Sequence, residues 1–246
     1  MFPDLPVSAA LFFDFDGTLV DIADHPEQVT VPAPLVAGLG ALREIHGGAL
    51  ALVSGRPLES LDRFLSPATF TAAGVHGLER RRADGSRDDV NATDLSSALS
   101  ALQAAIHPLT QADPRLLLER KTGSLAVHYR QAPALEGRLR EAIEAHIGRE
   151  PALTLLEGKC VFEVKPAQTD KGAAIEAFLS EAPFAGRQPV FLGDDVTDEA
   201  GFDVVNARGG LSIKVGEGVT RARHRVETPA IVRAWIARLT EESDRP

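Results

Sequence analysis

Short unbroken apolar runs alternate along the chain with segments whose leucines recur at helical spacing. Ala9-Ala10-Leu11-Phe12-Phe13 is one such run and stops at Asp14. Ala49 to Val53 is a second and stops at Ser54, Val190 to Leu192 is a third, and Phe70 to Val75 and Leu211 to Val215 read as further short strands. Apolar runs without polar alternation predict strands buried on both faces of a parallel sheet. Between them, Pro34 to Ile45 carries Leu35, Leu39 and Leu42 on one helical face, and Leu58, Leu61 and Leu65 mark a second helix. Later helices are predicted from Lys171 through Ile175 and Leu179, near Asp198 to Val205, and around Trp235. Strand and helix in turn define an α/β, doubly wound, Rossmann-like parallel sheet, whose functional groups collect beyond the carboxyl ends of the strands.

The middle of the chain breaks this rhythm. From about Asp94 to Val164 the pattern predicts a helix (Leu95 to Ile106), two strands (Leu116 to Glu119, Leu125 to Tyr129), a helix (Leu135 to Ile147) and two more strands (Leu153 to Leu156, Val161 to Val164). Strands joined as hairpins suit a small α+β layer rather than a parallel core. The expected organisation is a core formed by residues 1–90 and 165–246, interrupted by an inserted α+β cap domain at residues 91–164. The sequence shows no internal repeat or low-complexity tract.

Composition narrows the partners. With 246 residues, 44% of them hydrophobic and 25% charged, the chain can bury a substantial core, which excludes overall disorder. A formal charge of -9 argues against a nucleic-acid-binding surface but leaves room for a local basic pocket around an anion. A small molecule is the expected partner, with no nucleic acid, no membrane and a monomeric chain. Cys160, the single cysteine, cannot form an internal disulfide and reads as a small buried thiol. No basic segment precedes a long apolar run near the start, and no stretch approaches the roughly twenty apolar residues of a bilayer span. A cytoplasmic location is the expectation.

Four polar stretches sit where the predicted strands end or helices begin: Asp14-Phe15-Asp16-Gly17-Thr18-Leu19, Ser54-Gly55-Arg56, Lys171-Gly172, and Gly193-Asp194-Asp195-Val196-Thr197-Asp198-Glu199. Backbone N–H groups at such positions favour phosphate, and Gly17 lets the main chain approach an anion. Each stretch alone has an ordinary explanation as a solvated turn, a helix cap or a surface lysine. Together, in this order, they describe one site.

These four stretches resemble the motifs of the haloacid dehalogenase superfamily of aspartate-nucleophile phosphatases. More narrowly, Gly74-Val75-His76-Gly77-Leu78-Glu79, Val127-His128-Tyr129-Arg130, and Gly158 to Pro166 leading into Lys171-Gly172 resemble the trehalose-6-phosphate phosphatase family. The resemblance implies a Mg²⁺-dependent phosphatase that releases phosphate from trehalose 6-phosphate through an aspartyl-phosphate on Asp14. Attack by a carboxylate on a phosphate dianion meets repulsion on the order of 4 kcal/mol per charge pair at about 4 Å and an effective dielectric near 20, so counter-charge is required. Asp14, the Asp16 carbonyl and Asp194 would hold Mg²⁺, and Lys171 would neutralise the attacking and transferring groups. Ser54 and Thr18 would donate to phosphoryl oxygens, while the Asp16 carboxyl protonates the leaving oxygen and then activates water. Asp195 and Asp198 would orient Lys171 and metal-bound water.

In the cap, the resemblance assigns Glu119, Lys121 and Glu163 to sugar hydroxyls, with Arg56 and His76 bordering the pocket. His128 reads as a packed structural histidine, and the runs Arg80 to Arg82 and Arg221 to Arg225 as solvated faces. The core motifs equally permit another sugar phosphate, such as sucrose 6-phosphate. A non-catalytic phosphatase-like regulatory domain is opposed by the intact Asp14, Asp16, Lys171 and Asp194. A phospho-receiver is opposed by the cap and by the Asp-x-Asp-Gly-Thr spacing.

Overall fold

In the computed structural model, which describes residues 5, 6, 8–23, 25–89, 92–121, 123–158, 160–167 and 169–243, the chain opens with β1 (Ala9–Phe13), α1 (Ala33–Ile45), β2 (Leu50–Val53), α2 (Leu58–Leu65), β3 (Thr71–Gly74), β4 (Glu79–Arg81) and β5 (Arg87–Asp89). Then come α3 (Ala92–Ala112), β6 (Leu117–Lys121), β7 (Ser124–His128), α4 (Glu136–Ile147), β8 (Leu153–Gly158) and β9 (Val161–Pro166). The chain ends with α5 (Lys171–Leu179), β10 (Gln188–Gly193), α6 (Glu199–Ala207), β11 (Leu211–Val215), β12 (His224–Val226) and α7 (Pro229–Ser243). Two compact units result, Met1–Asp88 with Asp170–Pro246, and Asp89–Thr169.

The first unit is built on a sheet of order β12-β11-β10-β1-β2-β3-β4-β5. Strands β12 through β3 pair in parallel, with Phe12 opposite Phe191 and Leu11 opposite Leu50, and β4 turns back antiparallel to β3. Strand β1 is buried along its whole length, which is why it carries no polar residue. Its side chains alternate between two cores. Ala9, Leu11 and Phe13 pack with leucines of α1 and α2 and with Val232, Trp235 and Ile236 of α7, whereas Ala10 and Phe12 pack with Ile175 and Phe178 of α5 and Phe202 of α6. Helices on both faces make this the doubly wound α/β sheet that the apolar runs predict. Burying a side chain such as Phe12 or Phe191 stabilises the fold by about 1.5–3 kcal/mol.

Three short strands escape the hydrophobic pattern. β4 (Glu-Arg-Arg), β5 (Arg-Asp-Asp) and β12 (His-Arg-Val) sit at the two margins of the sheet, where a strand needs little apolar surface to pair. The reading of Arg80 to Arg82 as a solvated face is therefore corrected for Arg80 and Arg81. Arg81 is buried, with its fork on Asp62 at 2.8 and 2.7 Å and its Nε donating to the Phe70 carbonyl at 2.9 Å. Arg80 reaches Glu181 at 2.7 Å and Asp88 at 2.6 Å, its guanidinium lying over Phe178. A guanidinium whose planar donors meet matched carboxylates tolerates burial that an unpaired charge would not. The side chains of Arg221, Arg223 and Arg225 are exposed.

The second unit is a four-stranded sheet of order β6-β7-β9-β8, antiparallel throughout. Leu125, Val127, Phe162 and Val164 form one core with Leu99, Leu102 and Ile106 of α3 and Leu139 and Ile143 of α4. Because side chains alternate along a strand, the register puts Glu119, Ala126 and Glu163 on the opposite face, in line with one another. The expected buried thiol is corrected here: Cys160 is only half-buried, in the tight β8–β9 connection at φ 62°. No helix among the described residues is long and apolar enough to cross a membrane.

Candidate active site

Parallel pairing brings the ends of β1, β2, β3 and β10 into line, and the first unit opens there into a cleft of about 1150 Å³. Asp14, Asp16, Ser54, Gly55, Arg56, His76, Lys171, Asp194 and Asp195 line it. The Asp14 N–H donates to the Leu192 carbonyl at 2.9 Å, continuing the β1–β10 ladder one residue past the strand and fixing Asp14 at its mouth. Lys171 opens α5, whose first turn is capped by the Asp170 carboxylate accepting from the Ala173 N–H at 2.8 Å.

Lys171 binds two acids. Its Nζ lies 2.6 Å from Asp14 Oδ1 and 2.6 Å from Asp198 Oδ1, and all three side chains are buried. The other oxygen of Asp198 accepts the N–H groups of Asp194 and Asp195, each at 2.9 Å. Asp198 thus ties the loop after β10 to the ammonium. Gly17, at φ 74°, lets the Asp194 carboxylate pack directly on the main chain, because a methyl there would occupy the place of that carboxylate. Asp14, Asp194 and Asp198 each offer an oxygen, and the three oxygens lie within 4.8 Å of one another.

The electrostatics of this cluster show a shortage of positive charge. Burial pushes Asp14 up to about 8 despite the pull of Lys171, and the Asp198 charge adds to the rise. Burial followed by Asp198 and Asp195 pushes Asp194 up to about 6. Burial works against the charge of Lys171, but Asp14 and Asp198 together outweigh it and raise its pKa above the ordinary lysine value. Lys171 lies between Asp14 and Asp198, and even with Lys214 beside Asp194 the positive charge does not offset the burial of the Asp14 and Asp194 carboxylates. An oxygen-rich, acidic donor set of this kind fits a hard divalent cation, with Asp14 held by Lys171 through one oxygen, Asp194 converging beside it, and both oxygens of Asp198 taken by Lys171 and the backbone.

The remaining core residues are placed unevenly. Ser54 is buried in the cleft wall, its Oγ accepting from the Arg56 N–H at 3.1 Å. Asp16 is gripped by Arg56 through Nε at 2.6 Å and Nη2 at 2.7 Å. His76 stands at φ 55° beside Val75 at φ 47°, a left-handed pair uncommon for residues with side chains, and its N–H donates to the Ser54 carbonyl at 2.9 Å. Gly55 makes room for its ring, which a Cβ there would approach to 2.8 Å. Thr18 does not line the cleft; its hydroxyl is fully buried and without a hydrogen-bond partner among the described residues. Asp195 lines the cleft but is exposed, and its carboxylate caps the turn Val196–Asp198 rather than reaching Lys171.

In the second unit, Glu119 Oε2 lies 3.0 Å from His128 Nε2, and Ser124 Oγ donates to Glu163 Oε1 at 2.6 Å. The packed structural role expected of His128 is corrected, because the strand alternation turns it to the open sheet face beside Glu119 and away from the helices. The Lys121 side chain lies outside the described residues. Sequence reasoning missed Lys214, buried at the end of β11 with its ammonium on the Asp194 carbonyl. The available signal was a single charge inside the strand Leu211-Ser212-Ile213-Lys214-Val215.

The sequence profile of the trehalose-phosphatase family matches residues 12–229. Over 238 residues, which make up 97% of this chain and 89% of the relative, the chain is 45% identical to the trehalose-6-phosphate phosphatase of Escherichia coli (strain K12). It is similar to a solved trehalose-6-phosphate phosphatase related protein at 27% identity and TM-score 0.69, with 95% of this chain and 97% of that one covered. The solved Aspergillus fumigatus trehalose-6-phosphate phosphatase (crystal form 3), 24% identical with TM-score 0.76 over 94% of this chain and 92% of that one, has the same fold.

Proposed function

The chain belongs to the trehalose-phosphatase family, and from that premise we propose that it hydrolyses trehalose 6-phosphate to trehalose and inorganic phosphate with Asp14 as nucleophile. The observation that carries this reading is the buried bridge from Asp14 through Lys171 to Asp198 beside Asp194. An ammonium 2.6 Å from the attacking carboxylate lowers the repulsion that would keep a phosphate dianion away.

In the proposed reaction an Asp14 oxygen attacks phosphorus and the P–O bond to the sugar breaks. The Asp16 carboxyl gives its proton to the departing sugar oxygen, and the resulting carboxylate later takes a proton from water as that water hydrolyses the aspartyl-phosphate. Ser54 donates to a phosphoryl oxygen, and Lys171 balances charge in both steps. The cation assigned to Asp14, Asp194 and the Asp16 carbonyl is Mg²⁺, which supplies Lewis-acid stabilisation of the phosphoryl oxygens when bound. Thr18 is given no part in these steps, its side chain being fully buried. Asp198 orients Lys171, and Asp195 shapes the turn that presents Asp194.

Glu119, Lys121 and Glu163 are assigned to the hydroxyls of the sugar, with Arg56 and His76 bordering that pocket. Carboxylates already fixed by His128 and Ser124 offer rigid acceptors to a donor-rich ligand. The reading extends to a monomer working on a small molecule in the cytoplasm, in keeping with the net charge of -9. Phosphate release from trehalose 6-phosphate, sucrose 6-phosphate and glucose 6-phosphate, with and without Mg²⁺, tests it. Turnover of trehalose 6-phosphate should be fastest, depend on Mg²⁺ and fall by at least ~10³-fold in a folded Asp14→Asn variant. Preference for another sugar phosphate would overturn the substrate, and an active Asp14→Asn the nucleophile.

A further inference from the structure

Of the segment Gly74-Val75-His76-Gly77-Leu78-Glu79, only His76 lines the cleft. The other residues act on the wall behind it. Val75, His76 and Gly77 take φ of 47°, 55° and 103°, a left-handed turn that swings the chain back so that β4 starts with Glu79 opposite Gly74 of β3. The segment holds residues 54–58 at three points. The His76 N–H donates to the Ser54 carbonyl at 2.9 Å, the Val75 N–H donates to the Arg56 carbonyl at 3.0 Å, and Glu79 Oε2 accepts from the Leu58 N–H at 2.8 Å. Gly74 leaves room for the last of these bonds, since a Cβ there would stand 2.8 Å from the Arg56 carbonyl oxygen, 2.9 Å from the Leu58 nitrogen and 3.2 Å from Glu79 Oε2.

Helix α2 needs that acceptor. Its first N–H groups have no partner within the helix, and the capping position is held by Pro57, which has no side-chain oxygen to offer. Glu79 supplies the oxygen from β4, and a carboxylate at a helix start also meets the positive end of the helix dipole. The start of α2 is thereby fixed, and with it the N–H of Arg56, two residues before Leu58. That N–H donates to Ser54 Oγ at 3.1 Å. With one lone pair so occupied, the buried Ser54 hydroxyl is set in one direction and keeps its hydrogen for another acceptor.

We infer, resting on the phosphatase reading above, that Glu79 is a positioning residue for Ser54: by capping α2 from β4 it fixes the Arg56 N–H, and through it the hydroxyl that donates to the phosphoryl oxygen. The reach of the side chain carries this role and its charge is secondary, because any oxygen held at this place completes the bond to Leu58. Glutamine keeps such an oxygen. Aspartate keeps the charge but is one methylene too short, and alanine keeps neither.

Phosphate release from trehalose 6-phosphate at saturating Mg²⁺ is measured for wild type, Glu79→Gln, Glu79→Asp, Glu79→Ala, Ser54→Ala and the Ser54→Ala/Glu79→Ala double variant, well below the unfolding temperature of each. Glu79→Ala should lower kcat/KM about tenfold to a hundredfold, the range for a reacting group displaced by about 1 Å, and Glu79→Asp by nearly as much. Glu79→Gln should lose no more than about fivefold, the difference between a neutral and a charged acceptor in one hydrogen bond. Inhibition by orthovanadate, which takes the place of the phosphoryl group, should weaken in the same order. Because Glu79 acts through Ser54, the double variant should lose less than the product of the two single losses. An aspartate variant as active as the glutamine one, losses that multiply in full, or an alanine variant as active as wild type overturns the inference. Should Glu79→Ala fail to fold, Glu79→Asp takes its place in the cycle with the same criteria. A wild type that releases no phosphate contradicts the phosphatase reading and the inference with it, whereas an active wild type with multiplying losses contradicts only the role of Glu79.

Discussion

Asp14, Ser54 and Asp194 leave the carboxyl ends of neighbouring parallel strands, whereas Glu119, His128, Ser124 and Glu163 project from within antiparallel strands of the second unit. Strand order in the parallel sheet brings the first group together whatever side chains occupy those ends. The second group shares a face only because the β6, β7 and β9 registers set Glu119 against Ala126 and Ala126 against Glu163; a slip of one residue would turn every one of them into the core. The two arrangements suit different tasks. Chemistry on phosphate needs a fixed, buried constellation, and the proposed reading gives recognition of the sugar to the half-exposed sheet face of the second unit.

Breaking the buried cluster should have the largest effect. Lys171→Met removes the ammonium from between Asp14 and Asp198 and leaves their carboxylates buried without it. Stability should drop by about 3–5 kcal/mol, the cost of orphaning buried charges, as read from a urea unfolding curve. An unchanged midpoint would show that the cluster is not held together by that ion pair. Changes on the open sheet face should instead separate substrates. Glu163→Gln, by weakening a hydrogen bond to a charged group of about 1.5–3 kcal/mol, should lower kcat/KM for trehalose 6-phosphate about tenfold to a hundredfold. Its p-nitrophenyl phosphate activity should stay at the wild-type level, and parallel losses on both substrates would break the division between the units.

The smallest expected effect lies away from either site. Burial, followed by the Arg187 charge, lowers the pKa of His46 at the end of α1 below its ordinary 6.5. The unfolded chain therefore takes up this proton before the folded chain does as pH falls. The His46 contribution to stability is complete above pH 6.5 and is lost as pH drops through the folded-state value. Urea midpoints of wild type should fall more between pH 7.5 and 5 than those of His46→Gln; parallel curves would remove His46 from the account.

Strands β1 and β2 were legible because burial on both faces leaves no room for polar residues, so each appears as a continuous apolar run, as does the Val190-Phe191-Leu192 centre of β10. The short marginal strands β4, β5 and β12 were not: β5 and β12 pair with one neighbour each, and the arginines of β4 are held by carboxylates instead of packing in a core. At the site, the four motifs identified Asp14, Ser54, Lys171 and Asp194 as neighbours, because strand ends converge by topology alone. The Arg56–Asp16 fork was not legible, joining residues forty positions apart by side-chain geometry. Nor was the withdrawal of Thr18 from the cleft, which depends on how the Asp16-Gly17-Thr18 turn folds back so that the Gly17 N–H meets the Val20 carbonyl at 2.8 Å. Lys214 was visible as an anomaly in β11, but its partner is a backbone carbonyl, which no residue pattern encodes.

The assignment of Asp14 as the group that takes the phosphoryl can be read directly. Turnover of trehalose 6-phosphate with Mg²⁺ is quenched in acid, reduced with borohydride, and the peptides are sequenced by mass spectrometry, since reduction of an aspartyl-phosphate leaves homoserine in its place. Homoserine at position 14, absent without substrate, is the predicted result. Homoserine at Asp16, Asp194 or Asp198 with Asp14 intact would contradict it.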